Sequence, residues 1–164
     1  AGAQVSFIGH GVGIEIDEQA IYQCVEKGLT VVHGDIDNEL CDYADKRFDH
    51  VILYESLQQV LHPEKVILEA LRVGKNVIVG IPNFCHFYAR YQICFRGKVP
   101  VTDELPHQWY DTPNLRFLSL KDFRIFCHKR GVTIKKEIAI AKNMRVTFFP
   151  NVFANIGIFE LAKE

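Results

Sequence analysis

Val12-Gly13-Ile14-Glu15-Ile16-Asp17 is a short apolar run that ends in acids. Consecutive apolar residues suit a strand covered on both faces, as in a parallel sheet. Asp17 is placed to cap a following helix over residues 18–27, with Ala20, Ile21, Cys24 and Val25 on one side and Gly28 as the stop. Leu29-Thr30-Val31-Val32-His33 then reads as a second strand, closed by Gly34-Asp35. A loop of acidic character over 36–47 leads to Phe48-Asp49-His50-Val51-Ile52-Leu53-Tyr54, a third buried strand.

Residues 56–73 are helical by period, interrupted at His62-Pro63, and Gly74 ends the second piece. Residues 76–81 form a fourth strand, closed by Pro82-Asn83. Short β-branched runs alternating with helices predict a doubly wound, mostly parallel α/β sheet with right-handed crossovers. Later, Ser119 caps a helix over 120–130, and two strands, 132–141 and 155–161, follow with no regular helix between them. That pattern predicts an antiparallel strand at the sheet edge. No internal repeat or linker divides the chain, so residues 1–164 are read as a single domain with an insertion or lid at 84–115.

Ligands of open parallel sheets sit beyond the carboxyl ends of the strands. The first end carries Glu15, whose carboxylate can accept both hydroxyl hydrogens of a ribose. The second carries Gly34 and Asp35. Asp35 can accept from an exocyclic amine such as that of adenine, and a glycine lets backbone approach closely. The third carries Tyr54, Glu55 and Ser56, and the fourth Pro82-Asn83. Each acid has a plainer role open to it, because an acid after a strand is often only a helix cap.

The lid begins with Phe84, Phe87, Tyr88, Tyr91 and Phe95 at helical spacing, more often a core pattern than a site. It continues through Pro100, Pro106 and Pro113 and contains His107, Trp109, Tyr110 and Asp111. Long loops of this kind tend to carry function. These four residues either bind a substrate or pack the lid onto the core.

Gly13 to Asp17, Gly34-Asp35 and the run from Phe48 to Leu53 look like successive strand signatures of class I S-adenosylmethionine-dependent methyltransferases. Gly13 to Asp17, Leu57-Gln58-Gln59, Pro82-Asn83-Phe84 and Leu105 to Asn114 resemble the methionine biosynthesis protein MetW family. The likeness runs over the chain from Val12 onward. It implies S-adenosylmethionine or S-adenosylhomocysteine as cofactor, with Glu15 on the ribose and Ile16 packed on the adenine. Asp35 would meet the adenine amine, with Gly34 and Ile36 beside it, and Tyr54 and Glu55 would floor the methionine end. It implies a small-molecule ligand and either methyl transfer or an accessory role beside homoserine O-acyltransferase. No residue stands out as a general base.

The resemblance departs at the front. Such folds open with a strand and a Gly-x-Gly-x-Gly turn. Gly9-His10-Gly11-Val12-Gly13 has tempting spacing but leads straight into the next strand, with no room for a helix. The first strand and glycine turn are therefore expected to be missing. The chain opens Ala1-Gly2-Ala3-Gln4-Val5 without a methionine, as a tag remnant or the middle of a longer sequence would.

Composition narrows the class. The chain has 164 residues, 48% hydrophobic and 24% charged, which is ordinary globular composition. A net charge of −1 gives no general attraction to nucleic acid or anionic membrane. No apolar run approaches the roughly 20 residues of a membrane helix. Five cysteines without a C-x-x-C pair, and no leader, point to a reducing cytoplasm. His86, His107 and His128 have no metal-ligand spacing, so no metal is expected.

Overall fold

A computed structural model describes residues 11–163. Gly9, His10 and the opening Ala1 to Val5 lie outside the described residues. The elements run β1 (Val12–Glu15), α1 (Glu18–Glu26), β2 (Thr30–His33), α2 (Ile36–Glu39), β3 (Phe48–Tyr54), α3 (Pro63–Val73) and β4 (Gly74–Pro82). After these come α4 (Phe87–Arg96), α5 (Leu120–Lys129), β5 (Val132–Ala141), β6 (Met144–Arg145), α6 (Pro150–Phe153) and β7 (Ile156–Lys163). Asp17 caps α1 as read, accepting from the Gln19 and Ala20 amides at 2.8 and 3.3 Å. Of the expected α1 stripe, Ala20 is buried, but Val25 is exposed.

The architecture is α/β, and it differs from the expected sheet in three ways. First, β1 and β2 pair parallel as a sheet of their own. The other five strands form a second sheet in the order β3-β4-β7-β5-β6. Among the described residues β1 pairs only with β2 and β3 only with β4. Second, the five-stranded sheet is mixed: β3 and β4 are parallel, and β7 runs antiparallel to both β4 and β5. Third, the last strand, β7, lies inside the sheet, while the expected antiparallel edge is made by β5 and β6 beyond it. β7 slots between β4 and β5 because its alternate residues Phe159 and Leu161 are wholly buried, which an edge position would not provide.

The segment before α3 is also corrected. Residues 57–59 form a turn, and α3 begins only at Pro63. The Gln58 carbonyl accepts from Leu115 and Arg116 rather than from a helical amide. The Leu61 and His62 amides go to the Asp37 carboxylate, at 2.7 and 2.8 Å. With those groups spent on long-range bonds, the periodic pattern cannot close as a helix. The expected 36–47 loop instead holds α2 and a 3-10 turn, Leu40–Asp42.

The core lies between the five-stranded sheet and helices α3 and α5. Leu53, Val77, Val79, Ile81, Phe159 and Leu161 meet Val66, Ile67, Ala70, Leu120 and Phe123. Phe123 and Phe159 pack with ring centroids 4.7 Å apart and planes tilted by 51°. Ser119 and Asp122 form a capping box at the start of α5.

Candidate functional site

The strand ends of the two sheets meet at one place. Asp37, in the first turn of α2 after β2, is only 6% exposed and ties down the loop that follows β3 through Leu61 and His62. Lys65 of α3 adds a bond to the Asp37 carbonyl at 2.7 Å. A carboxylate buried this far needs such donors to offset its lost hydration. Asp37 was not among the sequence candidates. Its signal there was slight, one acid among several between two strands.

The residues read as a nucleoside site stand at these ends in varied states. Glu15 Oε1 accepts from the Ile16 and Asp17 amides at 2.9 and 3.0 Å, which fixes the side chain against its own turn. Its second oxygen has no protein partner among the described residues. Ile16 presents an exposed apolar surface just beyond it. Asp35 caps α2, with Oδ1 accepting from the Asp37 amide at 2.9 Å. The plainer role stated for such acids therefore applies to Asp35, and its Oδ2 has only a long contact with Asn38, at 3.5 Å. A Cβ on Gly34 would lie 2.5 Å from Glu39 Cγ, so the close approach that this glycine permits is that of Glu39. Ile36 packs partly against the core. Asn83 is buried and spent on structure, donating to Ala154 and Asn151 carbonyls at 2.7 and 3.2 Å.

The end of β3 is the most unusual point. Glu55 has a φ of 50°, a left-handed backbone that a non-glycine residue rarely adopts, and its amide donates to the Gly80 carbonyl at 2.9 Å. The Tyr54 ring lies over Gly80, where a Cβ would come within 2.4 Å of it. Burial pushes the Glu55 carboxyl up from its ordinary range, the Tyr54 contact opposes this, and the Glu104 charge adds to the rise. The Tyr54 hydroxyl is raised too, first by burial and then by the Glu55 and Glu104 charges. Burial pulls His86 down from its ordinary value, while the Glu104 charge pulls the other way. His86 caps α4, its Nδ1 accepting from the Tyr88 amide at 3.4 Å.

The Glu104 charge thus reaches Tyr54, Glu55 and His86 electrostatically, and the sequence did not single out His86 or Glu104 for this. His86 lies three residues past Asn83 and so near a strand end, which is a readable sign. Glu104 lies in the lid, and only the folded chain brings it here.

The 84–115 segment is anchored at several points. Phe84 and Leu118 bond at its root, at 3.1 Å, and Leu115 and Arg116 bond the Gln58 carbonyl. Buried Gln92 of α4 clamps Val101 through two hydrogen bonds. A short turn pairs Thr102 with Leu105, and Leu105 is buried. The aromatic run of α4 is not core, since Phe87, Tyr88, Tyr91 and Phe95 are all exposed. Trp109 and Tyr110 are 73% and 70% exposed and touch each other edge-on, so they do not pack the lid onto the core. His107 is half-buried and Asp111 exposed. A cavity of about 430 Å³ lies elsewhere, between α3 and α5, with Leu57, Ile67, Phe117, Phe123 and Phe126 in its wall. No described helix is long and apolar enough to cross a membrane.

Solved structures share this fold. A SAM-dependent methyltransferase from Thermotoga maritima superposes with a TM-score of 0.67 at 20% identity, over 93% of this chain and 72% of that one. Another from Archaeoglobus fulgidus gives 0.61 at 14% identity, over 93% and 75%. At such identities the likeness is one of fold, a class I methyltransferase-like architecture. The bifunctional methionine biosynthesis protein MetXA/MetW of Rhodopirellula baltica is 30% identical over 128 residues. That match takes in 77% of this chain and 20% of the relative, so the chain spans about a fifth of the relative's length. The family profile described as methionine biosynthesis protein MetW matches residues 6–161. The chain belongs to the MetW family of methionine biosynthesis proteins.

Proposed function

We propose that this protein binds S-adenosylmethionine or S-adenosylhomocysteine across the strand ends of β1 to β4. The observation that carries the reading is the Asp37 tie, which holds the loops after β2 and β3 together beside Glu15. The residues present fit such a group. Glu15 is oriented by two backbone amides and keeps one oxygen open for a ribose. Ile16 offers an apolar face to a base, and Asp35 keeps a weakly held oxygen near it. Tyr54 and Glu55 face the methionine end. S-adenosylmethionine, when bound, supplies a methyl group activated by its sulfonium. The chain's own part is then positioning. Tyr54 and Glu55 hold the amino-acid end. His107, Trp109, Tyr110 and Asp111 form an exposed lid segment open to a substrate. Calorimetric titration with S-adenosylhomocysteine tests this, with an expected loss of about tenfold or more in the Glu15→Ala variant. Unchanged affinity removes Glu15 from the site.

A second reading is that the domain is a partner of homoserine O-acyltransferase and modulates that enzyme without transferring a methyl itself. It is favoured by the relative in which a MetW segment is part of a larger chain also named MetXA. Co-purification with the acyltransferase, and its activity with and without this protein, tests that role. Activity indifferent to the protein would rule it out.

A further inference from the structure

α4 meets the rest of the molecule along a narrow line, for of its residues only Ala89 and Gln92 are buried. Phe87, Tyr91 and Phe95 recur every four residues, and Tyr88 stands three before Tyr91, so the four share one face of the helix. All four are exposed. Their rings run in a row: Tyr88 stacks on Tyr91 with centroids 6.4 Å apart, and Tyr91 meets Phe95 at 5.5 Å. A contiguous exposed aromatic patch marks a surface that something covers.

The charges around the row narrow what fits it. From Phe84 to Thr102 the chain carries Arg90, Arg96 and Lys98 and no acid. Arg90 is spent on the Cys85 carbonyl, at 2.6 Å, whereas Arg96 and Lys98 lie exposed at the carboxyl end of the helix. Gly97, with a φ of 58°, turns the chain back, and the Gln92 carboxamide clamps Val101. The segment leading to Asp103 and Glu104 therefore lies beside α4 and not beyond its end. The Glu104 charge is felt at His86, the cap at the start of the helix. None of Arg96, Lys98, Asp103 and Glu104 takes part in an ion pair among the described residues.

This surface is basic at one end and acidic towards the other, with the aromatic row between. A surface in that order is complementary to a second copy of itself turned end for end. In such a pair Tyr91 faces its own counterpart and Phe87 faces the second copy's Phe95. Arg96 and Lys98 then face the second copy's acids. Residues four apart form the ridge by which two helices commonly interlock. The four rings, about half exposed, offer on the order of 400 Å² per copy. The charged side chains widen this towards the roughly 600 Å² per partner of a weak, reversible interface.

We infer that α4 is a self-association surface: two copies of this chain pair antiparallel through the aromatic row, and the basic end of each helix meets the acidic turn of the other. The pairing stands apart from both functional readings above.

Sedimentation velocity of the full chain across the micromolar range tests it. The protein is expected to pass from monomer to dimer, and Tyr91→Ala to weaken the dimer about tenfold or more. Circular dichroism checks that this exposed substitution leaves the fold intact. Charge reversal separates the antiparallel pairing from a merely sticky face. Arg96→Glu with Lys98→Glu makes both ends acidic, and Asp103→Lys with Glu104→Lys makes both ends basic. Each protein is expected to be monomeric alone, and the two mixed to form a one-to-one dimer. The inference is overturned if the parent stays monomeric throughout, if Tyr91→Ala dimerises like the parent, or if the two reversed proteins do not pair. A monomeric parent whose binding to the acyltransferase is lost in Tyr91→Ala overturns it in favour of that enzyme as the occupant.

Discussion

Glu55 shows how one position can be costly to the fold and useful to a ligand. Its left-handed backbone strains the turn whatever its charge, and its partial burial, with the Glu104 charge, disfavours the charged form. The raised carboxyl means that the folded state binds this proton more tightly than the unfolded chain does. The associated stability is complete below the ordinary glutamate range, near about pH 4, and is lost as pH rises through the folded value. Glu55→Gln is therefore expected to raise the melting temperature at pH 7 by on the order of 1 °C, and to leave it unchanged near pH 4. Solvent screening at a half-buried site keeps the effect small. Melting curves of both proteins across that range check it, and an equal shift at both pH values would show the charge to be irrelevant. Glu15 is a contrasting case. Its placement after a buried run was legible, while the two amides that orient it became visible only in the fold.

At the scale of elements, local rules succeeded wherever a segment satisfies its own backbone. The capping box of α5 is such a segment. Ser119 Oγ accepts from the Asp122 amide at 3.2 Å, and Asp122 Oδ2 accepts from the Ser119 amide at 3.2 Å. Ser119→Ala is expected to cost about 1 kcal/mol, read as a shift of the urea midpoint with an unchanged slope. No shift would mean that water or another group replaces the cap. The same rules failed at residues 56–61, where Leu57, Val60 and Leu61 suit a helix by period. There the Asp37 carboxylate and the backbone amides of the lid's end take the groups a helix would have used. They also failed for α4, whose aromatic stripe resembles a core face yet is exposed.

At the scale of the molecule, β7 joins the two halves of the five-stranded sheet, pairing with β4 on one side and β5 on the other. Phe159 is fully buried on it and packs at a tilt against Phe123 of α5. Phe159→Ala is expected to destabilise the protein by about 3–5 kcal/mol, measured by denaturant unfolding. A loss below about 1 kcal/mol would show that β7 does not hold the two halves together.

The identity of β1 to β4 and of helices α1 and α5, the caps at Asp17 and Ser119, and the carboxylates at the strand ends followed from sequence alone. They depend on periodicity and on bonds between near neighbours, which a linear reading contains. The place of β7 inside the sheet, the turn in place of a helix before Pro63 and the Asp37 tie were decided by tertiary structure. Each depends on groups some twenty to eighty residues apart competing for the same surface or hydrogen bond, and spacing along the chain does not record which of them wins.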